Sequence, residues 1–197
     1  MDLDDLVRLI EETAASARRP IVVGISGFGG AGKSTLARAL VARIDGAVRM
    51  RGDDFLDPAR SHRRSPDWEG VERSRLVTEV LVPFRERRPG ALFRRYDWTA
   101  RRLGDLEPVP VGHILVVDLI GLFHPDALSA LDITVWCDLS LAIAQERGMK
   151  RDAALGRDHA DLWSDVWVPN DRDFADRYEP RERADVRYVG AGAEPAS

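Results

Sequence analysis

Apolar positions change their period along the chain, and the changes mark out its elements. Leu3, Leu6, Val7 and Ile10 recur at helical spacing, which predicts an amphipathic helix within residues 1–18, ending before Arg18-Arg19-Pro20. The run IVVGIS (21–26) is short, β-branched and apolar throughout, the pattern of a strand buried on both faces of a parallel sheet. After a cluster of glycines, Leu36, Leu40, Val41 and Ile44 mark one face of a second helix that stops near Gly46. AVRMRGDDF (47–55) reads as a second strand ending in acidic residues, and the arginine-rich stretch up to Trp68 as a loop. Val71, Leu76, Val77, Val80 and Leu81 predict a helix over 70–87, closed by RRPG. GHILVVDLIGLF (112–123) is the most hydrophobic segment and predicts a central strand; DITVWCD (132–138) predicts another, followed by a helix over 139–149. Helical character returns around 158–178, where Trp163 and Trp167 lie four apart and read as core. ADVRYV (184–189) predicts a last short strand, and residues 191–197 a flexible tail. Strands alternating with helices imply an α/β fold of three layers, a parallel sheet with helices on both faces. The length of 197 residues suits a single domain over 1–190.

Composition narrows the partners. A net charge of −4 argues against broad electrostatic binding to nucleic acid. The single cysteine, Cys137, cannot form an intramolecular disulfide and reads as a packing residue. The N-terminus is acidic where a secretory signal would be basic, and no apolar run reaches the length of a membrane span. The expected location is the cytoplasm, with no membrane partner; self-association into a homo-oligomer is left open. The four histidines show no metal-ligand spacing and are given no chemistry.

Lys33 and Lys150 are the only two lysines among 29 basic side chains. Lys33 stands inside GFGGAGKST (27–35), which satisfies G-x-x-x-x-G-K-[ST] through Gly27, Gly32, Lys33 and Ser34. A loop made of Gly27, Gly29, Gly30, Ala31 and Gly32 can turn sharply and aim successive amides at phosphate oxygens, while the helix opening at Lys33-Ser34-Thr35 adds its positive end. Lysine offers a compact charge between the β- and γ-phosphates, and the serine hydroxyl can ligate Mg²⁺. The motif therefore predicts binding of ATP with Mg²⁺, and three kinds of protein use it. No N-K-x-D element reads a guanine, which disfavours a GTPase, and the chain is short for a motor ATPase. A kinase of a small molecule needs a group that positions the acceptor hydroxyl. Asp53 and Asp54 stand at the end of the second predicted strand, on the edge where parallel sheets bind ligands.

GISGFGGAGKSTLA, DDF, YDW, a hydrophobic strand ending in an acid, and RGMKRD follow one another in an order that resembles the uridine kinase family, close to phosphoribulokinase; the correspondence covers most of residues 20–190. The resemblance implies a phosphotransferase with an alcohol acceptor. It implies Asp53 as the base, Asp118 as a helper in holding Mg²⁺, and Tyr96, Asp97 and Trp98 as the wall of a nucleoside pocket. Arg147 and Arg151, with Lys150, would belong to a lid at about 147–157 that follows a helix, Arg151 matching the family motif best. Two positions depart from it. The family carries Glu-Gly where this chain has Asp118-Leu119, and a histidine where it has Arg101. A permanent guanidinium at 101 favours an acceptor bearing a carboxylate or phosphate. The expected acceptor is a nucleoside, with a sugar or vitamin-like alcohol as the alternative. A nucleotide-binding module that signals to a partner is the rival from another class; a passive binder would need neither Asp53 nor Arg151.

Overall fold

The computed structural model describes residues 1–190; the tail read at 191–197 lies outside the described residues. Five parallel strands form the main sheet: β1 (Ile21–Ser26), β2 (Ala47–Arg51), β5 (Ile114–Asp118), β6 (Ile133–Cys137) and β7 (Val186–Tyr188), in the spatial order β2-β5-β1-β6-β7. Two further strands, β3 (Leu92–Asp97) and β4 (Arg102–Pro108), form a separate antiparallel hairpin.

Strand alternation divides the core into two layers. Ile21, Val23 and Ile25 of β1, with Ile114 and Val116 of β5, face Leu6 and Ile10 of α1 (Leu3–Ser16) and Leu36 and Leu40 of α2 (Lys33–Arg43). Val22, Leu115 and Val117 face the opposite way, toward Leu76, Val80, Leu81, Phe84 and Phe174. This is the sandwich of helices on a doubly covered parallel sheet that the apolar runs imply. The chain returns across β1 after β5, so the end of β1 lies at the crossover where such sheets bind ligands.

Helix α3 begins at Arg73–Leu76, passes through a π-turn at Val77–Leu81 and ends at Val82–Arg85. Helix α4 spans Leu141–Ala154; α5 starts with a turn at Ala160–Leu162, widens through a π-turn at Trp163–Trp167 and continues over Val168–Tyr178. Each widened turn runs into a proline, Pro83 or Pro169, which has no amide to donate, and the wider coil absorbs the missing bond.

Several boundaries differ from the sequence reading. β2 stops at Arg51, because Gly52 lies against the Asp118 carbonyl and Leu119, and Gly52–Phe55 coils into a 3₁₀ turn. The strand predicted over 112–123 ends at Asp118, and Leu119, Leu122 and Phe123 stay buried without pairing as a strand. The stretch up to Trp68 is more than a solvated loop. It closes on itself through a Leu56–Val71 bridge, carries a turn at Pro58–Ser61 capped by Asp57, and buries Trp68. No helix among the described residues is long and apolar enough to cross a membrane.

Candidate active site

The segment Gly27–Gly32 joins β1 to α2, so its amides and the first turn of α2 share one edge of the sheet. The Lys33 ammonium lies folded over the loop and donates to the carbonyls of Gly27 and Phe28, both at 2.8 Å. An ammonium has three donors, so a direction remains for a ligand oxygen. Two glycines let this loop meet its neighbours. Gly30 has a φ of +86°, and a Cβ there would stand 2.1 Å from the Ala144 carbonyl oxygen of α4. Gly148 gives room to the Trp163 ring, which would lie 2.3 Å from an added Cβ. Gly148→Ala is accordingly expected to cost about 1–3 kcal/mol through overpacking, read as a lowered Tm in calorimetry; an unchanged Tm would mean that Trp163 has space to move.

Ser34 Oγ donates to Asp118 Oδ2 at 2.6 Å, joining the start of α2 to the end of β5. Asp118 is 4% exposed and is also gripped by Arg49 of β2, Nε to Oδ1 at 2.7 Å and a terminal guanidinium nitrogen to Oδ2 at 2.9 Å. Asp118 raises the Arg49 pKa above its ordinary value through that hydrogen bond, against the opposing effect of burial. The donor set suits Mg²⁺ in one way. Magnesium keeps several waters and takes one or two protein oxygens beside phosphates. Ser34 can supply a direct oxygen, whereas an Asp118 shared with a guanidinium suits a water-mediated contact. No cluster of three or more metal-ligating side chains exists among the described residues.

Asp53 and Asp54 occupy the 3₁₀ turn after β2 but differ in setting. The Asp53 side chain is 53% exposed, with Arg51 at 3.9 Å. Asp54 is buried, has Arg95 at 3.5 Å and Arg51 at 3.7 Å, and burial pushes its pKa up against those charges. The β3–β4 hairpin, which the sequence reading did not anticipate, packs on this turn by stacking Phe93 on Phe55 at 6.0 Å. Tyr96 and Trp98 meet edge to face at 5.0 Å near its tip. Asp97 Oδ1 accepts from the amides of Thr99 and Ala100, so that oxygen shapes the turn. Arg101 stands exposed on the turn with a φ of +55°. No hydrogen bond or ion pair joins residues 97–101 to the phosphate loop among the described residues.

Arg147, Lys150 and Arg151 lie within α4, not in a segment following it, because the helix continues to Ala154 instead of stopping at 149. Arg151 binds the neighbouring Asp152, at 2.9 and 3.1 Å, and Asp152 also accepts from Trp163 Nε1 at 3.0 Å. Trp163 is buried, as its spacing suggested, yet its ring also touches the Gly29 position of the phosphate loop. Cys137 is buried at the end of β6, and burial pushes its thiol up to about 12, which keeps it inert.

Three side chains at this edge escaped the sequence reading. Arg49 left a signal, a charge inside a strand between Val48 and Met50, where burial demands a carboxylate. Asp171 left another. It follows Trp167 by four positions and precedes Phe174 by three, on the apolar face of its helix, and its carboxylate accepts from the Gly29 amide at 2.8 Å. Trp68, on the other oxygen of Asp171 at 3.1 Å, left none.

Solved structures share this architecture. One from Silicibacter sp. TM1040, assigned to a fructose transport system kinase, superposes with a TM-score of 0.73 over 95% of this chain and 98% of its own, at 19% identity. Another from Bacillus stearothermophilus, assigned as a possible uridine kinase, gives 0.68 over 94% and 98%, at 14% identity. The fold is that of the P-loop NTPases. Sequence similarity runs in the same direction: a uridine kinase of Leuconostoc citreum is 29% identical over 147 residues, 68% of this chain and 69% of that protein. No protein-family model matches the sequence. The resemblance to uridine kinases read from the ordered motifs thus recurs over about two thirds of the chain in a curated relative.

Proposed function

We propose that the chain is an ATP-dependent kinase that transfers the γ-phosphoryl group to a hydroxyl of a small molecule, with residues 1–190 acting as one domain. The observation that carries this reading is the convergence at one sheet edge of the Lys33 loop, the Ser34–Asp118 pair and the exposed Asp53 carboxylate. A phosphate grip alone would serve any nucleotide binder; an aspartate at the end of β2 supplies what an acceptor hydroxyl needs.

In this reading the loop amides and Lys33 hold the β- and γ-phosphates and spread their charge as it shifts in the transition state. Ser34 would hold Mg²⁺ directly and Asp118 through water, and the ion, when bound, would neutralise phosphate charge. Asp53 accepts a hydrogen bond from the acceptor hydroxyl, aligns its oxygen with the terminal phosphorus and takes the proton as the new P–O bond forms and the bond to the departing diphosphate breaks. Arg147 and Arg151, one turn apart on α4, deliver positive charge toward the phosphates, Arg151 by turning away from Asp152.

A nucleoside is the leading acceptor, because the Tyr96–Trp98 pair offers aromatic surface on which a base can pack and the curated relative is named a uridine kinase. An alcohol that also bears a carboxylate or phosphate, such as a hydroxy acid or a sugar phosphate, is the second reading, favoured by Arg101 on the hairpin turn. Release of ADP from ATP and Mg²⁺, measured across a panel of nucleosides, sugars and hydroxy acids, is expected to rise on the order of 10²-fold or more with one acceptor class. Turnover that ignores every acceptor would instead favour a signalling module.

A further inference from the structure

Five aspartates are buried: Asp54, Asp118, Asp138, Asp152 and Asp171. Four of them hold a guanidinium, from Arg95, Arg49, Arg181 and Arg151 respectively. Asp171 alone has no ion-pair partner among the described residues. A buried carboxylate without a counter-ion is expensive to keep, and burial pushes its pKa up to about 6 while the charge of Lys33 pulls it back. What it has instead is two N–H donors from distant parts of the chain. Gly29 donates from the phosphate loop to Oδ2 at 2.8 Å, and the Trp68 indole donates to Oδ1 at 3.1 Å. Trp68 sits on the excursion between Leu56 and Val71 that begins directly behind Asp53-Asp54 and closes through the bridge of those two residues. The preceding Asn170 pins the same excursion, accepting from the Ser65 amide at 2.7 Å and donating to the Arg63 carbonyl at 2.9 Å.

We propose that Asp171 is a positioning residue that joins the phosphate loop to the excursion behind Asp53, so that a nucleotide entering the loop is felt at Trp68. The inference rests on the reading of Gly27–Thr35 as a nucleotide site. Both oxygens are needed because both partners are donors. An asparagine would keep one acceptor and turn an NH₂ group against the other donor, so Asp171→Asn must lose at least one bond and leave two N–H groups facing each other.

Three measurements test this. In the wild-type protein without nucleotide, the Gly29 amide is expected to exchange slowly with solvent; exchange at the rate of an open loop would overturn the proposal without any variant. On titration with ADP and Mg²⁺, the indole N–H resonance of Trp68, assigned by its loss in Trp68→Phe, is expected to shift. In Asp171→Asn the affinity for ADP should fall about tenfold or more, and that resonance should cease to follow ADP. Trp68→Phe keeps the Gly29 bond, and its ADP affinity should stay within about threefold of wild type. A residue that merely supported the fold would weaken both variants alike. Unchanged ADP affinity in a folded Asp171→Asn protein, or a Trp68 resonance indifferent to bound ADP in the wild type, would overturn the link. A wild-type protein that binds no ADP would sink the proposed function instead, and the Gly29 exchange rate would still judge Asp171.

Discussion

Lys33→Ala is expected to reduce affinity for ATP by on the order of 10²-fold or more and to leave no measurable transfer, because a charge-assisted contact to a polyphosphate has no substitute nearby. Calorimetric titration with ATP and Mg²⁺ reads the first effect, and ADP release in the presence of an acceptor reads the second. The variant should still fold. The carbonyls of Gly27 and Phe28 that Lys33 now covers are partly buried, and removing the side chain leaves room for water to replace the ammonium. Wild-type affinity and turnover would remove the loop from the mechanism. Lys33→Arg should recover little, since a planar guanidinium on a longer stem fills the same space differently.

The second large effect falls on the acceptor side. Asp53→Asn is expected to leave ATP affinity nearly unchanged while lowering turnover on the order of 10²-fold or more, the usual loss when a general base is neutralised. The Asp53 side chain contributes little to the fold, being half exposed and only loosely approached by Arg51, so the drop should appear in kcat without a matching loss of Tm. Asp54→Asn provides the contrast. Its carboxylate is buried beside Arg51 and Arg95, and its loss should register chiefly as a lowered Tm. If Asp53→Asn turned over normally, the role would pass to another carboxylate at this edge.

These two residues were visible in the sequence because their chemistry is local. The phosphate loop is a contiguous stretch whose spacing states its own geometry, and the strand before it and helix after it are strongly periodic. The same holds for β1, α2 and β6, whose boundaries differ from the apolar pattern by a residue or two. What escaped depends on pairing between distant segments. The β3–β4 hairpin has weak alternation, with Leu103 and Leu106 left exposed, so its strands declare themselves only through one another. The helix expected over 139–149 continues as α4 to Ala154, and Gly148 lies inside it, where it admits the Trp163 ring. Arg49 and Asp171 are charges on apolar faces, and each acquires meaning only when its partner arrives, Asp118 from 69 positions away and Gly29 from 142.

The hairpin has one further consequence. Among the described residues, β3 and β4 hydrogen-bond as strands only to each other, and no ladder ties them to the five-stranded sheet. The wall that would meet the acceptor is therefore built apart from the platform that carries the phosphate grip. Residues at its tip can be exchanged, lengthened or recharged without disturbing a single rung of the platform, so a lineage of such proteins could change what it phosphorylates while inheriting the means of phosphorylation intact.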